Sequence, residues 1–426
     1  MRMKNILAMI LAGGRVDELS VLTLYRPKSA LPFGGLYRVI DFPLSNLEHS
    51  GIEKVGVLSQ YRSDSLLRHI GSGAAWDMVG SRRGIHLLPP MKGTFSSDWY
   101  KGTADAVYQN KDFIFHNQPD YVLVLSGDHV YKMDYGEMLS FHQSMQADVT
   151  VAFVRPDDHG MERFGQGVIE EGREQGGRLL RYVEKPSQPI SEWASMTIYL
   201  FNADALHFVL DEMMKPPSTE HFGRDILPVL LDRKRVFGYK FHGAWAYART
   251  IDEYWAANMS LLQDRPALDI DRWQVRTNLD NERVRDRAPA IISAGALVRN
   301  SRIHHGCIVE GTVVNSILFP GVKAAAGSMV KDSILFYDTR VAAHAHVTKV
   351  ITDVEVIIGA QAVVGGGRRP GANKEYPDLL SSGITLIGRN TVIPVRAQIG
   401  ANCIIYPNKG EQDFSGKIIA DGRTLK

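Results

Sequence analysis

The stretch IGRNTVIPVRAQIGANCIIYP, residues 387–407, decides the architecture of the C-terminal part of the chain. Ile387, Ile393, Ile399 and Ile405 recur every six residues, with glycine and small residues between them. That period marks a parallel β-helix, in which each aliphatic side chain stacks on its copy one coil along. A β-sandwich would alternate with period two instead. Working outward, Ile291, Leu297, Ile303 and Val309 carry the same spacing, so the repeat begins at 291. Residues 310–365 are irregular, and GGGRRPGANKEYPDLLSSG (365–383) interrupts the coils with a loop.

Upstream the texture is different. KNILAMILA (4–12), KVGVLSQY (54–61), DYVLVLSGD (120–128) and ADVTVAFVRP (147–156) read as strands of nearly continuous apolar character. Strands covered on both faces of a parallel sheet look like this. FPLSNLEHSG (42–51) and YGEMLSFHQSMQ (135–146) read as helices between them, giving an α/β, Rossmann-like, mostly parallel sheet. Ligands of such sheets gather at the carboxyl ends of the strands. Gly13, Gly14, Gln60 and Asp128 each follow a strand run, and so fall along one crevice. The domain closes with TIDEYWAANMSLLQ (250–263), where Thr250 and Glu253 form a capping box and Ile251, Trp255, Met259 and Leu262 an apolar face. The expected organisation is a domain over 1–265, a charged linker over 266–290 and a parallel β-helix over 291–426.

The 426 residues suffice for two domains with cores that need no staples. Lys and Arg total 49 against 47 Asp and Glu, a formal charge of +2, so no bulk attraction to nucleic acid or a membrane surface is implied. Cys307 and Cys403, far apart in repeat-like sequence, build neither a disulfide framework nor a zinc site, which favours a reducing cytoplasm. The start, MRMKNILAMILAGG, has basic residues before an apolar run. That run, Ile6 to Ala12, is at the short limit for a signal peptide and meets charged sequence at once; a buried first strand explains it better. No stretch approaches the ~20 apolar residues of a membrane helix.

Several residues carry chemistry, each with a plainer reading beside it. Gly13-Gly14 would let backbone N–H groups approach a phosphate, or is an ordinary turn. Lys28, in YRPKSALPFGG (25–35), supplies a cation or is a solvated surface group. Asp128, in LVLSGDHVY (123–131), is placed to hold a magnesium ion beside substrate phosphates, or is a turn acid. Glu184-Lys185, in RYVEKPSQP (181–189), pairs an acceptor for sugar hydroxyls with a charge for a phosphate, or is an exposed ion pair.

Taken together, LAGG (11–14), PFGGLYRVIDFPLSN (32–46), WYKGTADAV (99–107), GDHVYKMDY (127–135), RYVEKP (181–186) and ASMTIYLF (194–201) stand in the order and spacing of the bacterial and plant ADP-glucose pyrophosphorylases. The chain resembles that family through both domains, and the resemblance implies a nucleotidyltransferase domain over 1–265 joined to a left-handed β-helix over 291–426. The resemblance implies a glucose-1-phosphate adenylyltransferase, in which ATP and α-D-glucose 1-phosphate give ADP-glucose and diphosphate for glycogen synthesis. The sugar-phosphate oxygen would attack the α-phosphorus directly, so the protein aligns substrates and neutralises charge. Matched motif by motif, Leu11, Ala12, Gly13, Gly14 and Gln60 would hold the adenine and ribose side, with Trp99, Gly102 and Thr103 lining the nucleotide pocket. Tyr100, Gly165, Glu184, Lys185 and Ser195 would hold glucose 1-phosphate. Arg15 and Lys28 would be catalytic cations, and Asp128 the catalytic carboxylate carrying Mg²⁺. The family also implies a cytoplasmic homotetramer, or a hetero-oligomer with a homologous active subunit, formed through the β-helix.

Three departures stand against that pattern. The family's loop runs Gly-Arg-Gly-Thr-Arg-Leu, whereas here Val16 replaces a glycine and Glu18 an arginine. An acid about 4 Å from a phosphate charge would be repelled by about 4 kcal/mol at an effective dielectric near 20. In GAWAYARTIDEYW (243–255), Tyr247 replaces the family's second metal-ligating aspartate and Arg249 a glycine. Leu36 replaces the effector lysine, with Arg38 and Arg368-Arg369 as remaining basic residues. The alternative these raise is a weakly active or non-catalytic regulatory subunit. A third reading, an acyltransferase built on the hexapeptide domain, lacks a histidine in the coils at 387–405; His304, His305, His344 and His346 lie earlier.

Overall fold

Val, Ile and Leu dominate the four runs read as strands, and each of the four forms one. The structure, a computed structural model, describes residues 5–14, 16–80, 83–90, 99–156, 160–214, 219–367 and 371–426. By their internal contacts these form two compact units: Met1–Gly14 with Ile40–Trp245, and Arg15–Val39 with Ala246–Lys426.

The first unit is built on a nine-stranded sheet. In chain order its strands are β1 (Ile6–Leu11), β2 (Lys54–Leu58), β3 (Gly84–Leu88), β4 (Tyr121–Ser126), β5 (Val149–Val154), β6 (Gln166–Ile169), β7 (Gly176–Val183), β8 (Ala194–Asn202) and β9 (Val236–Phe241). They lie side by side as β3-β2-β1-β4-β8-β5-β9-β7-β6. The run β3-β2-β1-β4 is parallel throughout, as is the pair β5–β9. β8 is antiparallel to both β4 and β5, and β7 to β9 and β6. The apolar run at the start of the chain is thus an interior strand of the sheet, and Leu7, Ala8, Met9 and Ile10 are fully buried. The helices expected near 42–51 and 135–146 span Asp41–His49 and Tyr135–Ser144. Asp134 caps the second, its carboxylate accepting from Gly136 N at 2.7 Å. Leu7, Met9, Val122, Val124, Val151, Phe153 and Phe201 form the core on one face of the sheet. Each buried side chain of this size contributes about 1.5–3 kcal/mol.

The second unit carries a hexapeptide-repeat parallel β-helix whose three sheets hold six, seven and seven strands. Ile387, Ile393, Ile399 and Ile405 point inward and are buried, as the six-residue period requires. At the other end the expected phase is corrected. Ile292 and Val298, rather than Ile291 and Leu297, pair in register with the buried Val309 and Val313, although both Ile291 and Ile292 are exposed in this first coil. The cause is one short side per coil. Val313, Leu318, Ala324, Val330, Leu335, Val341 and Val347 are all buried, at intervals of five, six and six. Each short side turns on one left-handed residue: Asn315 (φ 48°), Asp332 (φ 50°) or Lys349 (φ 57°). Asn315 Nδ2 donates to Asp332 Oδ1 at 2.6 Å, tying successive corners together.

Residues 15–39 pack against this second unit. Arg26 makes a buried ion pair with Asp353 at 2.7 Å, Gly34 N donates to Asn258 Oδ1 at 2.9 Å, and the Tyr254 hydroxyl donates to the Pro32 carbonyl. The capping box at Thr250 is present with both of its bonds, opening a helix over Ile251–Ser260. The buried face of that helix centres on Ile251, Tyr254, Asn258 and Met259; Trp255, expected within it, is only half-buried and donates to the Asp332 carbonyl at 3.2 Å. The aperiodic charges of residues 266–290 are explained by docking within the second unit. Arg287 forms two 2.8 Å bonds to Asp338, and Arg283 pairs with Glu355 at 2.8 Å.

Candidate active site

The parallel register of the central strands fixes the first group of residues. Leu11 of β1 stands opposite Leu58 of β2 and Ser126 of β4, so the segments leaving those strands start from one row. Ala12 N donates to the Leu58 carbonyl at 2.9 Å, and Gly127 N to the Leu11 carbonyl at 2.9 Å. Gly13, Gly14, Gln60 and Asp128 therefore emerge along one edge, as the strand ends dictate. Tyr61 N donates to the Gly13 carbonyl at 3.2 Å, and a Cβ on Gly13 would press on Gln60 at 3.1 Å. Gly14 faces open space on that side. Arg15 lies outside the described residues.

Gln60 is held by the backbone of Tyr100: its Nε2 donates to the Tyr100 carbonyl at 3.4 Å, and Tyr100 N donates to its Oε1. The Tyr100 hydroxyl donates to the Leu88 carbonyl at 2.9 Å and accepts from Asn110 Nδ2 at 3.0 Å. Burial raises its pKa above the usual phenol value. The contacts that fix Tyr100 thus run to Gln60 and the β3 end, among the nucleotide-side residues. Trp99, beside it, is 64% exposed.

Asp128 follows β4. The Ser126 hydroxyl donates to its Oδ1, and His129 Nε2 lies 3.3 Å from the same oxygen. His129 is buried and packs edge-on against Trp245, whose ring centroid is 5.4 Å away. The carboxylate is 25% exposed, which leaves it within reach of a ligand. Among the described residues no three His, Cys, Asp or Glu side chains gather as a metal cage. One hard-oxygen carboxylate fits a divalent cation that takes its other ligands from phosphates and water.

Gly165, Glu184 and Ser195 form the second group. Alternation along β7 sends Tyr182 and Glu184 to one side, and the Tyr182 hydroxyl donates to Glu184 Oε2 at 2.7 Å. A Cβ on Gly165 would collide with that hydroxyl, so glycine is required there by close approach. Ser195 N donates to the Gly165 carbonyl at 2.8 Å, and Ser195 Oγ accepts from Thr197 N at 3.3 Å. The pairing of β8 with β5 slips between Ser195 and Tyr199, and Thr197 there adopts φ 55°. Burial raises the phenol pKa of both Tyr182 and Tyr199, with Glu184's charge adding to it. Both stay neutral donors. Lys185 is exposed, on left-handed backbone at φ 47°.

Gly102 and Thr103 join this group through a neighbouring segment. Ala104 N donates to the Glu220 carbonyl at 2.8 Å, Thr103 Oγ1 accepts from Phe222 N at 3.1 Å, and Gly223 abuts the Glu184 carboxylate. Sequence reasoning missed Ser126, His129, Tyr182 and Gly223. Only Tyr182 carried a usable signal, standing two residues before Glu184 on a strand.

In the second unit, Lys28 is 1% exposed. Its Nζ donates to the Tyr247 carbonyl and lies 4.4 Å from the centre of the Tyr247 ring. Arg249 Nη1 donates to the Tyr247 hydroxyl at 2.9 Å, and Arg249 Nε to Glu18 Oε1 at 2.9 Å. Glu18 and Tyr247, two of the departures noted in the sequence, are therefore both bonded to a third, Arg249. Val16 has φ −122°, extended backbone that asks for no glycine. Arg38 is buried, and Arg368 and Arg369 lie outside the described residues.

Comparison with known proteins adds the following. The Nucleotidyl transferase family matches residues 7–264, and the GlmU-like, C-terminal hexapeptide family matches residues 291–387. A glucose-1-phosphate adenylyltransferase of Thermomicrobium roseum is 44% identical, over 99% of this chain and 98% of its own. Proteins of the same description from Desulforamulus reducens and Acetivibrio thermocellus are 38% and 36% identical, over 96% and 100% of this chain and 100% and 98% of theirs.

Proposed function

We propose that this chain, which belongs to the glucose-1-phosphate adenylyltransferase family, joins ATP and α-D-glucose 1-phosphate into ADP-glucose and diphosphate for glycogen synthesis. The observation that carries this reading is the shared row at Leu11, Leu58 and Ser126. It delivers a glycine pair for phosphate, Gln60 and a metal-competent carboxylate to one edge of the sheet.

The reaction forms a bond from a sugar-phosphate oxygen to the α-phosphorus and breaks that phosphorus's bond to the diphosphate. The protein's share is alignment and charge. The backbone of Leu11 to Gly14, with Gln60, Trp99, Gly102 and Thr103, receives the nucleotide. Glu184, kept in place by Tyr182, accepts from sugar hydroxyls, with Gly165 and Ser195 beside it. Lys185 neutralises the sugar phosphate, and Arg15 and Lys28 supply cationic charge for the triphosphate. Tyr100, fixed to Gln60, borders both substrates. A divalent cation, proposed as Mg²⁺, would be held by Asp128 and would neutralise phosphate charge when bound.

Glu18's pairing with Arg249 supports turnover by this chain rather than a purely regulatory role, because the carboxylate's charge is balanced within the protein. We further propose a catalytic domain ending near 265, a linker over 266–290 and self-assembly through the β-helix. Both cysteines are buried free thiols, which supports a reducing cytoplasm. Among the described residues no helix is long and apolar enough to cross a membrane. Diphosphate release, measured with each nucleoside triphosphate in turn, tests the reading. It should require both ATP and glucose 1-phosphate, and release with another triphosphate alone would overturn it.

A further inference from the structure

Thr197, at φ 55°, is the one β-branched residue on left-handed backbone among the described residues. Two heavy atoms on its Cβ crowd the chain in that region, so the conformation is costly. It stands on β8, where the pairing with β5 slips. Ser195 lies opposite Phe153 and Tyr199 opposite Val151, so four steps along β8 match two along β5. The slip turns one side chain out of the core: Ala194 to Met196 and Ile198 to Phe201 are buried, and Thr197 between them is half-buried. Thr197 N donates to Ser195 Oγ at 3.3 Å, which fixes the bend from within.

The surroundings are those of the sugar-side residues. The Tyr182 hydroxyl donates to Glu184 Oε2 at 2.7 Å, and Ser195 N donates to the Gly165 carbonyl at 2.8 Å. Tyr199, two residues beyond Thr197, belongs to the same cluster. Burial raises its phenol pKa and Glu184's charge adds to the rise, while hydrogen bonding by the side chains of Ser195, Thr197 and Tyr182 opposes it. A site for a hexose needs several partners at fixed places, because a hydroxyl left unpaired on binding costs free energy. A carboxylate can only accept, whereas a threonine hydroxyl both donates and accepts. Strained residues persist where their surroundings over-determine them, and they gather at ligand sites.

We propose that the Thr197 hydroxyl is a further sugar-contacting group, presented within the Glu184 cluster by the slip in β8 to pair with one hydroxyl of the hexose. The inference rests on the reading of Glu184 and Ser195 as part of the glucose 1-phosphate site. It adds to that site a neutral group that selects among hexoses rather than one that meets the phosphate charge.

Calorimetry of glucose 1-phosphate binding to variants of the full chain, with thermal melting beside it, tests this. Glu184→Gln examines the underlying reading: parental affinity would overturn that reading and the inference with it. Thr197→Val keeps the branch and the strain but removes the hydroxyl. It should bind glucose 1-phosphate about threefold to tenfold more weakly, with ATP affinity unchanged. Thr197→Ser keeps the hydroxyl and should bind within about twofold of the parent. Thr197→Gly separates strain from contact: it should melt no lower than the parent, yet bind the sugar phosphate as weakly as Thr197→Val. Monodeoxy analogues of glucose 1-phosphate identify the partner. For one of them the loss of affinity seen with the parent should shrink in Thr197→Val, as a direct pair requires. If Glu184→Gln binds weakly while Thr197→Val binds as the parent does, the reading of the site stands and the role of Thr197 is overturned. Losses that are the same in parent and Thr197→Val for every deoxy analogue would overturn it too. Should Thr197→Val fail to fold, parental binding by Thr197→Gly would have the same force.

Discussion

Glu18 Oε1 accepts a hydrogen bond from Arg249 Nε at 2.9 Å, joining residues 231 positions apart. Each of the two looks damaging when set singly against its family, one as an acid in a phosphate loop and the other as a bulky cation in place of glycine. As a pair they are complementary. Restoring the family's residue at one position should therefore harm the protein unless the other is restored too.

Glu18→Arg alone should lower the melting temperature by about 1–3 °C, since a like-charged pair replaces an attractive one that is partly exposed. Glu18→Arg with Arg249→Gly should regain that loss and lower the KM for ATP. A single variant that melts at or above the parental temperature would show that the ion pair is not formed in solution.

Asp128→Asn keeps shape and hydrogen-bonding size but removes the charge proposed to hold the cation. Its rate should fall by ~10²-fold or more, with excess divalent metal restoring only part. Near-parental turnover in this variant would move the metal elsewhere.

Lys185→Ala should weaken glucose 1-phosphate binding at least ~10-fold while ATP affinity stays unchanged, because the lysine faces the sugar phosphate in this reading. Tyr182→Phe should produce a smaller loss, about threefold to tenfold, by taking from Glu184 its 2.7 Å donor. Calorimetry distinguishes the two, and an effect of either on ATP would contradict the assignment.

His304, in the second unit, has its pKa lowered from the ordinary 6.5 to about 4, first by burial and then by Arg302 and His305, with Asp271 opposing. The unfolded chain therefore binds a proton that the folded one refuses between those values. Stability should be full above pH 6.5 and fall as acid is added toward pH 4, by up to about 3 kcal/mol. His304→Asn should flatten that part of the acid-unfolding profile; an unaltered profile would assign the acid sensitivity to other groups.

The parts of the structure legible in the sequence are those where one residue type repeats one physical task. Ile387, Ile393, Ile399 and Ile405 stack, and their period is visible; Thr250 and Glu253 close a local box, and their spacing is visible. Residues 310–365 hid an equally regular helix. One five-residue side per coil, turning at Asn315, Asp332 or Lys349, shortens the repeat and throws a six-residue count out of phase. The candidate site divides in the same way. Gly13, Gln60 and Asp128 follow from the ends of strands. The neighbours of Glu184 come from β7, from Gly165 and from the segment at Gly223, which meet only in the folded domain. The compensation of Glu18 by Arg249 had no local trace, because it joins distant segments.

The packing of residues 15–39 within the C-terminal unit bears on how such chains can recombine. Arg26 and Asp353 are 7% and 1% exposed, and removing either partner of a buried pair costs about 3–5 kcal/mol. An exchange of hexapeptide domains between two relatives, cut within residues 266–290, would separate Arg26 from its own Asp353, although Pro32 would keep its own Tyr254. A viable chimera has to carry an insert from the front of the gene along with the back. Segments contiguous in sequence and units of packing do not coincide, so a charge-changing substitution at position 353 has to be matched at position 26.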